Sequence, residues 1–187
     1  MPKRKKSNLR EKLHKIFGHI MAIIAVILVV AVFGGAYYFV IAPNLVSKPF
    51  IEKPSLPEDS LEKIKAGENI ISAEHINYLI NEIGAYKLRK PFGAKNLPIM
   101  EFVLTDIKER FYSYVKDHKP ITKEGNAKNE DIIIKGNQEI VLNILNSGNI
   151  MQAVKQANNN DEIQVELISD MKTLAAKGYL SLYDTLK

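Results

Sequence analysis

The longest apolar run in the chain lies close to its N-terminus. Residues 16–42 contain no Asp, Glu, Lys or Arg. As a helix, residues 20–40 would span roughly 31 Å at about 1.5 Å per residue, which matches the roughly 30 Å hydrocarbon core of a bilayer. Within lipid, a single spanning segment can pair all of its backbone groups only as a helix. The pattern therefore predicts a transmembrane helix over residues 16–42.

A cleaved signal peptide, in which charged residues also precede an apolar run, is the main alternative for this segment. The apolar core of a signal peptide is only about 7–15 residues long. The one small-residue site, Val40-Ile41-Ala42, is followed by Pro43, which is a poor context for cleavage. These features favour an uncleaved signal anchor.

The apolar pattern after residue 70 predicts a small α+β domain over residues 71–187. Residues 72–84 have apolar positions at helical spacing, with Ser72 placed to cap the helix and Gly84 placed to end it. Residues 99–105 and 109–117 alternate as half-buried strands do, and the four residues between them suit a hairpin. Residues 131–135 contain three consecutive isoleucines and are typical of a strand buried on both faces.

The C-terminal part of this region alternates again between helix and strand patterns. Helices are predicted at residues 137–146 and 150–157, a strand at 162–169 and a final helix at 170–186 with Asp170 as its cap. About 115 residues can form one core but not two. The expected fold is a single small domain with a mostly antiparallel sheet.

Residues 43–70 are predicted to be a linker. Four of the eight prolines fall between positions 43 and 57. Such spacing interrupts helices and strands and favours a semi-rigid, extended spacer. A short charged helix is expected around residues 61–65.

Positive charge is concentrated ahead of the apolar run. The formal net charge of the chain is +5, but residues 1–15 alone hold seven basic side chains and one acidic side chain. The remaining residues hold 19 basic and 20 acidic side chains, so the folded part lacks the basic footprint of a nucleic-acid-binding domain. The positive-inside rule makes residues 1–15 a cytoplasmic tail. We therefore expect a single-pass protein of the cell membrane with an extracytoplasmic C-terminal domain.

The order strand, helix, turn, helix, strand, helix over residues 131–186 resembles the sterol carrier protein (type 2) family of small lipid-binding domains. Residues 72–117 fall where that family places its first helix and strands. The chain departs from the family at Ser169-Asp170, where many members have Gly-Asp, and in its predicted membrane anchor. The likeness is carried by the segments Asp131-Ile-Ile-Ile-Lys135, Glu139-Ile-Val-Leu-Asn-Ile-Leu145, Gly148, Ala153, Glu162-Ile-Gln-Val-Glu166 and Leu174-Ala-Ala-Lys-Gly178.

The resemblance implies that sheet and helices enclose an acyl chain or a sterol. The implied ligand-binding residues are the apolar side chains Phe102, Leu104, Val115, Leu142, Leu145, Val165, Leu174 and Leu182. Each of them could equally be ordinary packed core. The alternative function is a ligand-free module that holds a partner protein in the cell envelope. Its sign would be an exposed apolar patch, with Tyr112 and Tyr114 as candidates, in place of an internal cavity.

The sequence offers little catalytic or metal-binding chemistry. Without cysteine, there can be no disulfide, thiol catalyst or thiolate-bound metal. His75 and His118 lie in different elements and have no partner at metal-ligand spacing. The chain has neither a phosphate-binding glycine-rich loop nor a G-x-S-x-G motif. We therefore expect a protein that is not an enzyme and uses no cofactor and no metal.

Overall fold

The computed structural model describes residues 5–37 and 45–186. The chain divides into two compact units, residues 1–44 and residues 45–187. The small-residue site Val40-Ile41-Ala42 and Pro43, on which the choice against a cleaved signal peptide depends, lie outside the described residues.

The first unit contains one long helix, α1 (Lys5–Ala36), which begins within the basic tail. Its segment His19–Ala36 has a mean hydropathy of 2.6, and none of it is buried. Eighteen helical residues extend roughly 27 Å, close to the thickness of a hydrocarbon core. By length and composition, this helix could cross a membrane.

The second unit is α+β, as the sequence predicts. Three helical segments precede the sheet: α2 (Ser60–Lys65), α3 (Ala73–Glu82) and a 3-10 turn (Ala85–Lys87). The strands are β1 (Ile99–Leu104), β2 (Glu109–Lys116), β3 (Lys119–Glu124), β4 (Ile132–Gly136) and β5 (Gln164–Leu167). The remaining helices are α4 (Gln138–Asn146), α5 (Ile150–Asn159), α6 (Met171–Lys177) and α7 (Tyr179–Leu186).

The five strands form one mixed sheet in the order β3-β2-β1-β4-β5. Only β1 and β4 are parallel neighbours, and the other three pairs are antiparallel. The prediction of a mostly antiparallel sheet is therefore confirmed.

Strand alternation gives the sheet two different faces. Met100, Phe102 and Leu104 of β1 are buried, as are Phe111 and Val115 of β2. These side chains form one core cluster with apolar residues of α3, α4, α5, α6 and α7. We call this the inner face of the sheet, and the opposite one the outer face.

Residues 125–131 carry the chain from β3, at one edge, across to β4 on the other side of β1. The backbone N–H of Ala127 donates to the Glu101 carboxylate at 3.2 Å. Glu101 belongs to the alternate set of β1 side chains, which point to the outer face. The crossing segment therefore runs over the outer face and helps to bury Glu101, which is 3% exposed.

Two strand predictions need correction. β3 was not predicted, because it contains Pro120 and follows a tight turn without glycine, Asp117-His118, in which both residues have positive φ. Proline is tolerated there because β3 is an edge strand. The strand at 131–135 was expected to be buried on both faces, yet only Ile132 of β4 is fully buried, and Ile133 and Ile134 are half-buried. The neighbouring edge strand β5 is itself exposed, so β4 lies near the margin of the core.

The predicted final helix over residues 170–186 is also wrong as one continuous helix. Asp170 caps α6 as expected and accepts hydrogen bonds from the backbone N–H groups of Lys172 and Thr173. The Thr173 hydroxyl also donates to this carboxylate, at 2.6 Å, and it is the main cause that lowers the pKa of Asp170; the backbone N–H groups add to the effect. The helix then ends at Gly178, whose φ of +94° is left-handed, and α7 starts anew.

Residues 45–70 contact the folded domain at several points. The Asn81 side-chain amide donates to the carbonyl of Pro49 at 3.0 Å, and Lys48 pairs with Glu82 at 2.6 Å. Ser60, at the start of α2, is buried. This segment therefore belongs to the same compact unit as the sheet.

His75 helps to start α3 and must be neutral to do so. Its Nδ1 accepts a hydrogen bond from the backbone N–H of Ser72 at 3.1 Å. Burial lowers the pKa of His75 below its ordinary value of 6.5. Protonation would place a charge in a buried site and remove the acceptor.

We expect acid to destabilise the domain through His75. A histidine whose folded pKa is lowered contributes stability above pH 6.5 that is lost as the pH falls toward the folded pKa. Glutamine at this position can close the same capping box without titrating. Melting temperatures of residues 45–187 between pH 7.5 and 5 should fall more steeply for the native chain than for His75→Gln. Parallel curves would contradict this prediction.

Candidate ligand-binding cavity

An apolar cavity lies between the inner face of the sheet and the helices. The sheet contributes Phe102 of β1, Ile134 of β4 and Val165 of β5, which follow one another across the sheet. The remaining lining comes from α3, α5, α7 and the residue before β5: Leu79, Ile83, Val154, Asn158, Ile163 and Tyr183. The lining is almost wholly apolar, so the cavity suits a hydrocarbon and not an ion.

The cavity is small but reaches the surface. Its volume is about 60 Å³, whereas sites for drug-sized ligands occupy roughly 300–1,000 Å³. Val165 and Tyr183 are 37% and 43% exposed, which places the opening beside β5 and α7. A long-chain ligand would therefore have to part these elements to enter.

The opening is bordered by the least covered part of the sheet. β5 is an edge strand, and all four of its residues are exposed. Val165 and Leu167 point to the inner face, because they pair with Ile134 and Ile132 of β4. Leu167 is nevertheless 53% exposed, which shows that the helical layer does not cover the end of β5.

Two of the eight sequence-predicted ligand-binding residues, Phe102 and Val165, line this cavity. The other six are buried side chains that do not reach it: Leu104, Val115, Leu142, Leu145, Leu174 and Leu182. All but Leu142 of these six belong to the core cluster.

Seven lining residues were not singled out from the sequence. Leu79 of α3 and Ile83, the residue that follows α3, lie one helical turn apart. The helical spacing predicted only that both side chains face the core. Ile134 was correctly predicted to lie in a strand. Whether its side chain lies on the same face of the sheet as Phe102 depends on the register between β1 and β4. The way in which the helices pack on the sheet decides which core residues border a gap. The pattern of apolar positions in the sequence does not contain that information.

A second cluster brings titratable groups together at the other end of β1 and β4. The Asp131 carboxylate accepts from Lys177 Nζ at 2.6 and 2.8 Å, from Tyr179 Oη at 3.1 Å and from Ser169 Oγ at 2.8 Å. The backbone N–H of Ile99 donates to it as well, at 2.8 Å. Lys177 is nearly inaccessible, and its third bond goes to the carbonyl of Leu97 at 3.0 Å.

Gly178 makes this cluster geometrically possible. In a continuous α-helix, two residues separated by one position point about 200° apart, so Lys177 and Tyr179 could not reach the same carboxylate. The left-handed backbone at Gly178 turns the chain between them. Burial, and then the charge of Asp131, raise the pKa of Tyr179 well above its usual value of 10.

The Asp131 cluster is internally bonded, so it serves to hold the fold. Asp131, Lys177 and Tyr179 line neither the apolar cavity nor either of the two open grooves described next. Over the same residues, no group of three His, Asp or Glu side chains could hold a metal ion.

The described residues of this unit also form two open grooves. One, of about 590 Å³, lies between residues 51–55, α3 and β3. The other, of about 490 Å³, lies on the outer face between residues 95–97 and the crossing segment.

No protein-family model matches the sequence, and no curated protein matches it. Among solved structures, the chain is similar to a UbiJ-SCP2 ubiquinone synthesis protein, with 11% identity over 68% of this chain and 98% of that chain, at a TM-score of 0.35. It is also similar to the solution structure of palmitated SCP2L2 from Aedes aegypti, with 20% identity over 57% of this chain and 92% of that one, at a TM-score of 0.35.

The chain is similar as well to the inverting sec-alkylsulfatase Pisa1 from Pseudomonas sp., with 14% identity over 45% of this chain, at a TM-score of 0.30. It spans only 13% of that enzyme. Two of these three structures have SCP2 in their names. The α+β assignment itself rests on the sheet order and the helix placement described above.

The buried ion pair yields a test of stability. Replacing Lys177 with Met leaves the Asp131 carboxylate buried without its cation, which costs about 3–5 kcal/mol. Urea unfolding of residues 45–187 should show this loss for Lys177→Met and about 1 kcal/mol for Tyr179→Phe, which removes one hydrogen bond. The double variant Asp131→Leu/Lys177→Met should be less destabilised than the sum of its single changes. Additive losses would show that the two residues do not interact.

Proposed function

We propose that this chain is a membrane-anchored protein whose α+β domain binds an apolar, lipid-like ligand beside the membrane. The observation that supports the proposal is the apolar cavity between sheet and helices, with its opening at the edge strand β5. An apolar lining with a single amide, Asn158, favours a ligand with a long hydrocarbon part.

The small volume of the cavity is consistent with binding that requires opening. The helices near the opening end in short connections, and β5 is held to the sheet only through β4. Movement of α7 away from β5 would widen the cavity without breaking the Asp131 cluster, because that cluster engages only Tyr179, the first residue of α7.

We propose binding and not catalysis. The one cluster of converging titratable groups among the described residues is buried, and its members bond to one another. A reactive site needs room for a substrate beside its polar groups. The apolar cavity is lined almost wholly by hydrocarbon, so it places no set of reactive polar groups beside a bound molecule.

The anchor would be α1, with the basic tail in the cytoplasm and the domain outside. A tether of this kind raises the effective concentration of the domain at the lipid surface without any new contact. A lipid carrier so placed would take up its ligand from the membrane that holds it.

The second candidate function is a ligand-free module that holds a partner protein in the cell envelope. The observation that favours it is the free edge of β5, with Leu167, Ile168 and Met171 exposed on or just after it. A free strand edge with apolar side chains can pair with a strand of another protein. Tyr112 and Tyr114, the residues suggested from the sequence, are half-buried on the outer face instead.

Lipid binding can be tested at the opening of the cavity. Val165→Trp should fill the opening and weaken palmitate binding by residues 45–187 about 5- to 150-fold, since overpacking costs about 1–3 kcal/mol. Leu167→Trp is the matched control, because it makes the same change two residues along the same face of β5 but outside the cavity lining. Calorimetric titration with palmitate measures both.

Two results would contradict the proposal. A native chain, purified from lipid-rich cells, whose native mass spectrum shows no bound lipid and which takes up no palmitate would refute lipid binding and favour the second candidate. Equal weakening of palmitate binding by Val165→Trp and Leu167→Trp would refute binding in the cavity and place palmitate on the exposed strand.

The anchor gives a separate prediction. The full chain should remain in membranes after alkaline carbonate extraction, whereas residues 45–187 alone should be released, because only the first unit contains a long apolar helix. In intact cells whose outer barrier has been removed, added protease should degrade the domain and spare an N-terminal tag. Release of the full chain, or the opposite protection pattern, would contradict the anchor or its orientation.

A further inference from the structure

Several basic side chains of the β2–β3 hairpin lie on the outer face of the sheet, because alternate residues of a strand point to the same face. The register pairs Tyr112 with Lys123, Tyr114 with Ile121, and Lys116 with Lys119. Directly paired residues share a face, so the three lysines and two tyrosines lie together there. Lys123 Nζ lies 6.0 Å from the centre of the Tyr114 ring, as this placement requires.

The groove on the outer face extends this basic surface toward the crossing segment. Its floor contains Ile99, Tyr112 and Tyr114, and its walls carry Lys95 on one side and Lys128 on the other. With Arg110, six cations therefore border or cover this part of the outer face. One carboxylate, Glu101, faces them from β1, and it is already bonded to Arg110 and to the backbone of Ala127.

The five lysines are available to a partner. None of the ion pairs found among residues 45–186 involves Lys95, Lys116, Lys119, Lys123 or Lys128. Sequence counting hides this concentration, because the residues after position 15 are nearly neutral as a whole. The charge becomes visible only when the fold sorts the side chains by face.

A fully exposed aromatic side chain, Phe92, lies three residues before Lys95 of the groove. Phe92 is 101% exposed, and it occupies the corner of a tight turn in which the N–H of Ala94 bonds to the carbonyl of Pro91 at 3.1 Å. Gly93, with φ of +76°, supplies the left-handed position that this turn needs. Lys95 of the same loop lines the groove, so the exposed ring and the basic wall belong to one segment.

We propose that this outer face, together with the Phe92 turn, docks on a phospholipid leaflet that contains anionic headgroups. Lysines near such a surface are attracted by its negative potential. Tyrosine rings favour the interfacial layer, and an exposed apolar ring gains free energy by entering the acyl boundary. Five lysines outside the ion pairs of residues 45–186, spread over two strands and two loops, match an extended charged surface better than one small anion.

This docking surface is distinct from the apolar cavity. The cavity opens on the inner side of the sheet, whereas the basic groove lies on the outer side. The inference therefore goes beyond the proposed ligand binding and can fail or succeed independently of it.

Tryptophan fluorescence can test the docking, because the chain contains no tryptophan of its own. The full chain with Phe92→Trp would be reconstituted into vesicles of phosphatidylcholine alone or with one third phosphatidylglycerol. We expect a blue-shifted emission and quenching by brominated acyl chains only in the anionic vesicles, and reversal in 0.5 M salt, where the screening length is only a few ångströms. Leu167→Trp, on the inner face of β5, should show neither effect.

Charge variants separate the proposed face from general attraction. Lys95→Gln, Lys123→Gln and Lys128→Gln together should lower the docking equilibrium of Phe92→Trp about 100-fold, at about fivefold per lysine. The matched control replaces three exposed lysines elsewhere, Lys53, Lys65 and Lys172, with Gln and should change it less than about twofold.

Several results would overturn the proposal. Emission of Phe92→Trp that is equal in neutral and anionic vesicles would show that this face does not dock. Equal weakening by both lysine triples would show attraction without a specific face. A response of Leu167→Trp in place of Phe92→Trp would assign docking to the cavity opening, and a response only to added duplex DNA would assign the basic face to a soluble polyanion.

Discussion

The buried ion pair between Asp131 and Lys177 is the interaction on which the rest of the domain depends. Asp131 stands at the entrance to β4, beside the first residue of β1, and its backbone carbonyl also receives the N–H groups of Ile168 and Ser169 after β5. Its carboxylate thus joins the starts of the two parallel strands to the break between α6 and α7. A charge so deeply buried is tolerated only when its partners are in place, so the strand order and the helix break are fixed together.

With that end of the sheet fixed, the two faces are free to serve different chemistry. The inner face meets the helices and leaves an apolar gap where β5 extends beyond their cover. The outer face of the β2–β3 hairpin carries lysines and tyrosines. Both the apolar inner face and the basic outer face arise from the same strands, because successive side chains of a strand point to opposite faces of the sheet.

Much of the fold could be predicted from the sequence, because local rules governed it. α3 lies between its cap at Ser72 and its end at Gly84, and the hairpin between β1 and β2 follows the alternation of Phe102 and Phe111 with polar neighbours. The failures have tertiary causes. Pro120 in β3 is acceptable only at a sheet edge, and the helix break at Gly178 follows from the demand that both Lys177 and Tyr179 reach Asp131. Of the eight residues predicted to bind a ligand, only Phe102 and Val165 line the cavity. The position of the cavity depends on the register of β1 with β4 and on the placement of the helices, which local patterns do not give.

Gly178 also has a consequence for how such a chain could change over evolutionary time. Its φ of +94° would strain any residue with a Cβ, although the nearest atoms, from Lys87 and Leu88, are 3.7 Å from where that Cβ would lie. Substitution is therefore opposed by backbone conformation and not by crowding, and no repacking of neighbours would relieve it. Over evolutionary time, position 178 is therefore constrained through Asp131, because a substitution there would draw Lys177 or Tyr179 away from the carboxylate that both of them contact.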